Sequence, residues 1–450
     1  MTRRLCLFLL AVCLLSGCTK KSSDEEPISL RIATLDAYTF ESTYRDYFDA
    51  AFPDWNVSLI ELPEESGSFE ESQWQDWLDT EKPDLLLTNV FDYHQLADIG
   101  LLRDLEEFAG RSDMDLGRFN PAVLDYLKGN EQGRLFGLSP FFSTSALYYN
   151  KDLFDRLGIP YPEDDMTWAD TLNLAGRFMN DSRLGDNEFG LHVKWVSTPF
   201  DLMNKIAYTD GVDYVNSQTG ALTIDTDGWR NIFGEVIDAY RNGTFRTQTV
   251  EGDSRDGTTY YGPEALAQTE LFAQGLAAMT VDGDSLMRNL KAGEPGFRWG
   301  VATGPVRASD PSRAGWFGTG YVFAIPIVSS KPERAWESIA YLHSERMGRA
   351  SVAINGDLLA LQDDPVWRSD EDYRVFYRKL PENELPAYAE SKVPISFYEP
   401  FNRLVDRRIG EVLQGKLTVE EALASIQREG EELMVKAKLE SEQAAASPSQ

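Results

Sequence analysis

The sequence predicts a layered α/β protein, on three observations. The first is an alternation of strand, helix, strand, helix and strand within residues 28–88, the pattern of a βαβαβ unit whose parallel strands need helical crossovers. The second is size and balance. The 450 residues, 42% hydrophobic and 26% charged, can fill two or three domains that each bury a core, which excludes a largely disordered chain. The third is a set of later helices whose starts are marked by capping residues and whose bodies are amphipathic.

Taken in order, residues 28–33 alternate Ile28, Leu30 and Ile32 with smaller or polar side chains, a strand with one apolar face. Residues 41–52 place Tyr44, Tyr47, Phe48 and Phe52 at helical spacing, and Pro53 ends the helix. Residues 57–62 form a second strand. A second helix over 69–78 puts Trp74, Trp77 and Leu78 on one face. Residues 84–88 carry three consecutive leucines, the continuous apolar run of a strand covered on both faces. Thr167, Ser330 and Thr418 each precede an acid by three residues (Asp170, Glu333, Glu421), which is capping-box spacing. Two amphipathic runs follow, Ala335, Trp336, Ile339 and Leu342, then Leu417, Ala422, Leu423, Ile426 and Leu433. Trp168 and Trp336 are expected at core or cap positions. Residues 181–189, 252–263 and 304–315 are rich in Gly, Asp and Asn and read as loops.

The ends are different in kind. Arg3 and Arg4 precede an apolar run from Leu5 to Leu15, too short at ~16 Å to span a ~30 Å hydrocarbon core, so residues 1–17 read as a signal peptide. Leu15-Ser16-Gly17-Cys18 resembles the lipobox of bacterial lipoproteins, which implies a lipid on Cys18 and a membrane-anchored, extracytoplasmic protein. Residues 18–27 then form a polar tether, and residues 441–450 a low-complexity, disordered tail. All three cysteines (Cys6, Cys13, Cys18) lie in the leader, so the mature domain holds no disulfide and no Cys-based metal site. With 73 acids against 43 bases and a net charge of -30, the surface repels phosphate backbones and argues against nucleic-acid binding.

Enzyme signatures are missing. His94, His192 and His343 have no metal-ligand spacing, and His343, near a helix end, reads as a cationic cap. No nucleophile elbow, phosphate-binding loop or dinucleotide fingerprint is present, so neither a metal nor a cofactor is expected. Gly318-Thr-Gly320 comes nearest but runs into an apolar strand at 321–325. Acid pairs such as Asp282 with Asp284, or Asp363 with Asp364, arise by chance among 73 acids. Asp225-Thr-Asp227-Gly228 lacks the later ligands of a calcium loop and reads as a turn.

Five segments together resemble the extracellular solute-binding proteins of ABC importers, in the carbohydrate-type family that includes maltose-binding protein. They are residues 84–88 with 95–105, residues 137–154, Met166-Thr-Trp168, residues 272–283, and residues 318–339. The resemblance implies a two-lobed periplasmic-binding-protein-like α/β fold with a hinged cleft. Lobe 1 would comprise residues 28–142 plus 320–364, and lobe 2 residues 143–319 plus 365–440. It implies a monomer that carries a small-molecule ligand, a sugar or oligosaccharide, to membrane permease subunits, and that is not an enzyme.

By position the resemblance offers as ligand-binding residues Asp36 and Tyr38 after the first strand, and Asn89, Asp92 and Tyr93 after the third. Ser143 and Thr144 enter the interlobe crossing, Trp195 and Asp282 lie in the second lobe, and Trp316 precedes the return crossing. One departure concerns the ligand. Where maltose-type receptors stack a Trp after the Asp-Gly pair, this chain continues Asp284-Ser285-Leu286, which leaves the ligand open. Two alternatives stand beside transport: a sensory lipoprotein, or a hydrolase on the same fold. A thiaminase, which needs a catalytic Cys, is disfavoured by the cysteine-free mature chain. Since the leader run cannot span a bilayer, Cys18→Ala should move the protein from the membrane fraction to the soluble fraction; full retention in the membrane would refute the anchor.

Overall fold

A computed structural model describes residues 28–446, except 64, 65, 67, 68, 130, 131, 249, 256, 257, 314, 356, 363–370 and 380–391. The leader, Cys18, the tether and the Asp363-Asp364 pair lie outside the described residues. The strands are β1 (Ile28–Thr34), β2 (Trp55–Glu61), β3 (Leu85–Thr88), β4 (Gly137–Leu138), β5 (Phe141–Asn150), β6 (Phe189–Val193), β7 (Asp253–Arg255), β8 (Thr258–Tyr260), β9 (Ala277–Gly283), β10 (Trp299–Thr303), β11 (Phe317–Thr319), β12 (Val322–Ala324) and β13 (Leu358–Leu359). The helices of the first third are α1 (Ala37–Thr43), α2 (Arg45–Ala51), α3 (Glu71–Glu81), α4 (Val90–Asp98), α5 (Leu105–Ala109) and α6 (Pro121–Leu127). Then come α7 (Lys151–Leu157), α8 (Trp168–Gly176), α9 (Pro199–Asp210), α10 (Asp227–Arg241), α11 (Pro263–Gln268) and α12 (Asp284–Gly293). The last are α13 (Pro332–Leu342), α14 (Glu345–Asn355), α15 (Ile395–Leu413) and α16 (Val419–Ala446).

Two sheets result. The first has the order β2-β1-β3-β12-β4: β1 pairs in parallel with β2 and β3, while β12 returns from far along the chain to lie antiparallel to β3 and β4. All four β3 residues are buried, as the leucine run predicts. The second sheet has the order β10-β5-β9-β6, with β6 and β9 parallel. Strand β5 divides its pairing: Phe141–Thr144 lies against β13 and β11, and residues 145–150 lie against β9 and β10. It is one crossing between the sheets, and β11 running into β12 is another.

Each sheet anchors a core. Around the first are Phe40, Phe48, Trp74, Leu86, Phe323 and Trp336; around the second, Trp168, Phe178, Phe200, Trp229, Phe233 and Phe401. Trp168 and Trp336 are both buried, and the Trp168 indole N–H donates to Thr209 Oγ1 at 2.9 Å.

Several local expectations change. The helix expected over 41–52 is two helices broken at Tyr44, because Asp36 starts the first one earlier, accepting from Thr39 N, and Tyr44 turns its ring edge-on to Phe323 at 5.2 Å. The capping boxes at Thr167–Asp170 and Thr418–Glu421 form both reciprocal bonds. The one expected at Ser330 does not: Pro332 opens α13, and the Ser330 hydroxyl donates to Asp84 instead. Strands β7 and β8 pair antiparallel within a stretch where a loop was expected. Residues 441–446 continue α16, since an Ala-rich run favours helix when a packed helix leads into it. His343 is no cationic cap. It is buried between Phe119 and Phe323, its Nδ1 bonds Ile339 O at 2.7 Å, and burial lowers its pKa to about 4, so it is neutral.

Glycine placement supplies a test of packing between α8 and β6. A Cβ on Gly190 would lie 2.4 Å from the Ala175 carbonyl oxygen, whereas one on Gly234, inside α10, meets nothing within 4 Å. Gly190→Ala should therefore cost ~1–3 kcal/mol through overpacking, and Gly234→Ala should add about 0.5–1 kcal/mol of helix stability. Chemical denaturation of the two variants checks the opposite signs.

Candidate ligand site

Because β1 and β3 are parallel neighbours, their carboxyl ends open on the same edge of the first sheet, where open α/β sheets place their ligand crevices. Asp36 leaves β1 and caps α1, accepting from Thr39 N and Thr39 Oγ1, both at 2.6 Å. The Thr39 hydroxyl also lies 3.2 Å from Tyr321 OH, which ties this corner to the β11–β12 crossing. Tyr38, next to the cap, is 80% exposed.

After β3, Asn89 caps α4 by accepting from Asp92 N at 2.9 Å, and its side-chain amide donates to Asp92 Oδ2. Ser66 Oγ donates to the same oxygen at 3.0 Å. Burial raises the Asp92 pKa, with the hydrogen bonds from Ser66, Asn89 and Thr88 opposing. Tyr93 is wholly buried; its hydroxyl donates to Leu127 O at 2.8 Å and accepts from Phe136 N. The expectation that Asp92 and Tyr93 meet ligand is corrected: helical spacing after the Asn89 cap turns both inward. Asp92 braces the loop, and Tyr93 packs the core.

The crossing gathers a second group. Thr144 pairs with Phe317 and Ser143 with Gly318, and the Thr144 hydroxyl donates to Trp316 O at 2.7 Å. Thr144 is thus a buried brace for Trp316, while Ser143 remains half-buried and the Trp316 ring is 47% exposed. Two residues along β5, Ala146 faces Asp282 across the β5–β9 ladder. Asp282 is half-buried, and burial raises its pKa, with Lys194 and Lys205 opposing and Glu270 adding to the rise. Beside it, Asp284 opens α12. Burial raises its pKa to about 6, against the pull of its own backbone N–H and Arg288, and Asp357 and Asp282 add to the rise.

Trp195 follows β6 with a left-handed φ of 62°, a strained conformation for an aromatic residue, and is 49% exposed. Its ring centroid lies 5.1 Å from that of Tyr261 and 5.8 Å from Lys194 Nζ, and Lys194 is ion-paired with Glu270. Behind it, His192 is buried and its Nε2 lies 2.8 Å from Thr269 O; desolvation lowers its pKa and favours the neutral ring.

The fold thus brings Ser143, Thr144, Asp282 and Trp316 together along β5. Lys194 connects Asp282 electrostatically to Trp195, and through Thr39 Tyr321 connects the crossing to Asp36. Lys194, Tyr261, Tyr321 and Asp284 were not singled out as site residues from the sequence. Position alone hinted at two of them, Lys194 beside Trp195 and Tyr321 just after Gly318-Thr-Gly320. Exposed rings beside carboxylates and hydroxyls can hold an amphipathic polar solute by stacking and hydrogen bonding. Among the described residues no group of His, Asp or Glu side chains is arranged to hold a metal ion.

The model of the bacterial extracellular solute-binding protein family matches residues 39–348, well over half of the chain, and the chain belongs to that family. A binding protein of Brucella abortus is 24% identical over 282 residues, 62% of this chain and 62% of its own length, so the chain spans less than two thirds of the curated relatives it matches. The structure of maltose-bound MalE3 from T. maritima is 20% identical, with 90% of this chain and 100% of that one covered at a TM-score of 0.55. MalE from Xanthomonas citri is 18% identical, with 92% and 99% covered at a TM-score of 0.61. A family 1 extracellular solute-binding protein from Alicyclobacillus acidocaldarius is 14% identical, with 91% and 100% covered at 0.61. These likenesses establish the two-lobed α/β fold.

The raised pKa of Asp284 has a consequence with a definite sign. The folded chain holds this proton more tightly than the unfolded chain, so the favourable contribution is complete at about pH 4 and is lost as pH rises through about 6. Asp284→Asn, neutral throughout, should raise the melting temperature over wild type at about pH 7.5 and by much less at about pH 4.5. An equal shift at both pH values would show that the carboxyl is not desolvated.

Proposed function

We propose that this protein is the extracytoplasmic receptor of an ABC importer, capturing a sugar or oligosaccharide between two lobes and delivering it to membrane permease subunits. The observation that carries the proposal is the exposed Trp316 ring held at the crossing by the Thr144–Trp316 bond, two ladder positions from the half-buried Asp282. Aromatic faces stack on the apolar faces of pyranoses, and carboxylates accept from their hydroxyls. Family membership supports capture and export. The solved relatives support carbohydrate in particular: MalE3 of T. maritima is bound to maltose, a Listeria monocytogenes substrate-binding protein is in complex with cycloalternan, and an Agrobacterium vitis protein holds D-mannitol.

In this reading lobe 1 is residues 28–142 plus 320–364 and lobe 2 is residues 143–319 plus 365–440, closing about the β5 and β11–β12 crossings. Asp36, Tyr38 and Asn89 face the ligand from lobe 1, and Ser143, Trp195, Asp282 and Trp316 from lobe 2. Closure excludes water and creates a surface that permease subunits can distinguish from the open form. The monomer works without a cofactor and performs no chemistry on the ligand. A lipid on Cys18 tethers it outside the membrane.

Maltose, cycloalternan and D-mannitol are the probes for titration calorimetry and thermal shift; a ligand at 100 times its Kd adds about 2.7 kcal/mol of stability. Trp316→Ala should weaken binding of the active probe by roughly 1–3 kcal/mol with little change in melting. Trp336→Ala should instead cost ~3–5 kcal/mol of folding stability. A Trp316→Ala protein that binds normally but melts early would return that ring to the core.

A further inference from the structure

A groove of about 370 Å³ lies on the second sheet's helical layer, between α8 and α10, within the ~300–1,000 Å³ typical of small-molecule clefts. It is distinct from the cleft. Helix α8 leads by a loop to the start of β6, so its C-terminal end lies at the opposite end of that strand from Trp195. The two helices run side by side in the same direction: Glu235 on α10 is charge-coupled to Asp170 on α8, and Thr244, just beyond α10, lies beneath Gly176 at the end of α8.

The groove is chemically polarised along that direction. At one end Glu235 has no ion-pair partner among the described residues. Its charged neighbours are Asp210 and Asp170, which add to burial in raising its pKa. At the other end the exposed Arg177 has no carboxylate within ion-pair distance among the described residues. Thr244, beneath Gly176, is almost wholly buried, and its hydroxyl has no hydrogen-bond partner among them. Asn173, Asn180 and Asn242 contribute amides to the lining, and Asp238 adds a second carboxylate, which is paired with Arg241 at 3.8 Å.

From Asp170, beside Glu235, to Arg177 is seven helical residues, ~10 Å. An extended tripeptide spans about the same distance, at ~3.3–3.6 Å per residue.

We propose that the groove between α8 and α10 is a second small-molecule site that binds a short zwitterionic peptide, with its ammonium at Glu235 and its carboxylate at Arg177. The charge separation selects length, because a single amino acid cannot reach both ends. The amides answer the peptide groups between them, each offering one donor and one acceptor. The C-terminal ends of the helices oppose a carboxylate only within their last turn, and a bidentate guanidinium pair outweighs that opposition.

The test uses triglycine as the probe, with glycine and N-acetyl-triglycine amide as comparators, titrated into the whole protein by calorimetry. Triglycine should bind, and glycine and the doubly capped peptide should bind at least tenfold more weakly. Arg177→Gln and Glu235→Gln should each weaken triglycine at least tenfold without lowering the melting temperature, while Trp316→Ala should leave it bound. Failure of triglycine to bind the wild type at millimolar concentration overturns the proposal. So does triglycine affinity indifferent to both groove variants. Loss in Trp316→Ala alone would place the peptide in the cleft and overturn it equally.

Discussion

The ladder of a single strand holds the molecule's working geometry. β5 carries backbone hydrogen bonds to β11 and β13 in its first half and to β9 and β10 in its second. A continuous extended backbone is therefore common to the crossing and to the second sheet. The groups of the candidate ligand site on that side are referenced to it: Ser143 lies on the strand, Asp282 lies opposite Ala146, and the Trp316 backbone is fastened by the buried Thr144 hydroxyl. Shifting β5 by one residue would exchange the faces of Ser143 and Thr144 and part the Thr144 hydroxyl from the Trp316 carbonyl, so the register of this strand sets the geometry of the candidate site.

The site pairs rigid supports with exposed groups. Thr144, Asp92 and Tyr93 have their polar atoms committed to backbone or neighbouring side chains, and they are buried. Trp316, whose backbone Thr144 fixes, presents an exposed ring, while Asn89 is half-buried with both its side-chain polar atoms on Asp92. Trp195 is held differently, by a left-handed backbone that points its ring outward beside Tyr261 and Lys194. Such strain persists only where surrounding structure over-determines it, here the end of the buried strand β6.

Electrostatics gives the cleft wall a further property. Asp282 and Asp284 lie close together in a partly desolvated place with Asp357 nearby, and the opposing cations are Lys194, Lys205 and Arg288. The balance leaves both carboxyls more readily protonated than in water. A ligand that donates hydrogen bonds to them would therefore offset a desolvation cost already present in the fold, the arrangement expected of a preorganised polar site.

Much of the architecture was legible in the chain because it is encoded locally. Period-two alternation at Ile28, Leu30 and Ile32, three consecutive leucines before Thr88, and caps at Thr167 and Thr418 each report on their own few residues, and each forms as read. The candidate site was legible only as positions in loops, since a loop residue's direction is not set by its own sequence. Asn89 and Asp92 read alike from the sequence, yet the helix that Asn89 caps packs with Asp92 and Tyr93 turned inward. Ser330 had the spacing of a cap but found Asp84, 246 residues away. His343 had the position of a cation but met Phe119 and Phe323, and burial left it neutral. The Thr144–Trp316 bond joins residues 172 apart, a pairing that no local period can specify. Local periodicity decides which face of an element is apolar; which partners that face meets, and therefore which polar groups are spent on structure and which are left for a ligand, is decided by contacts between distant segments.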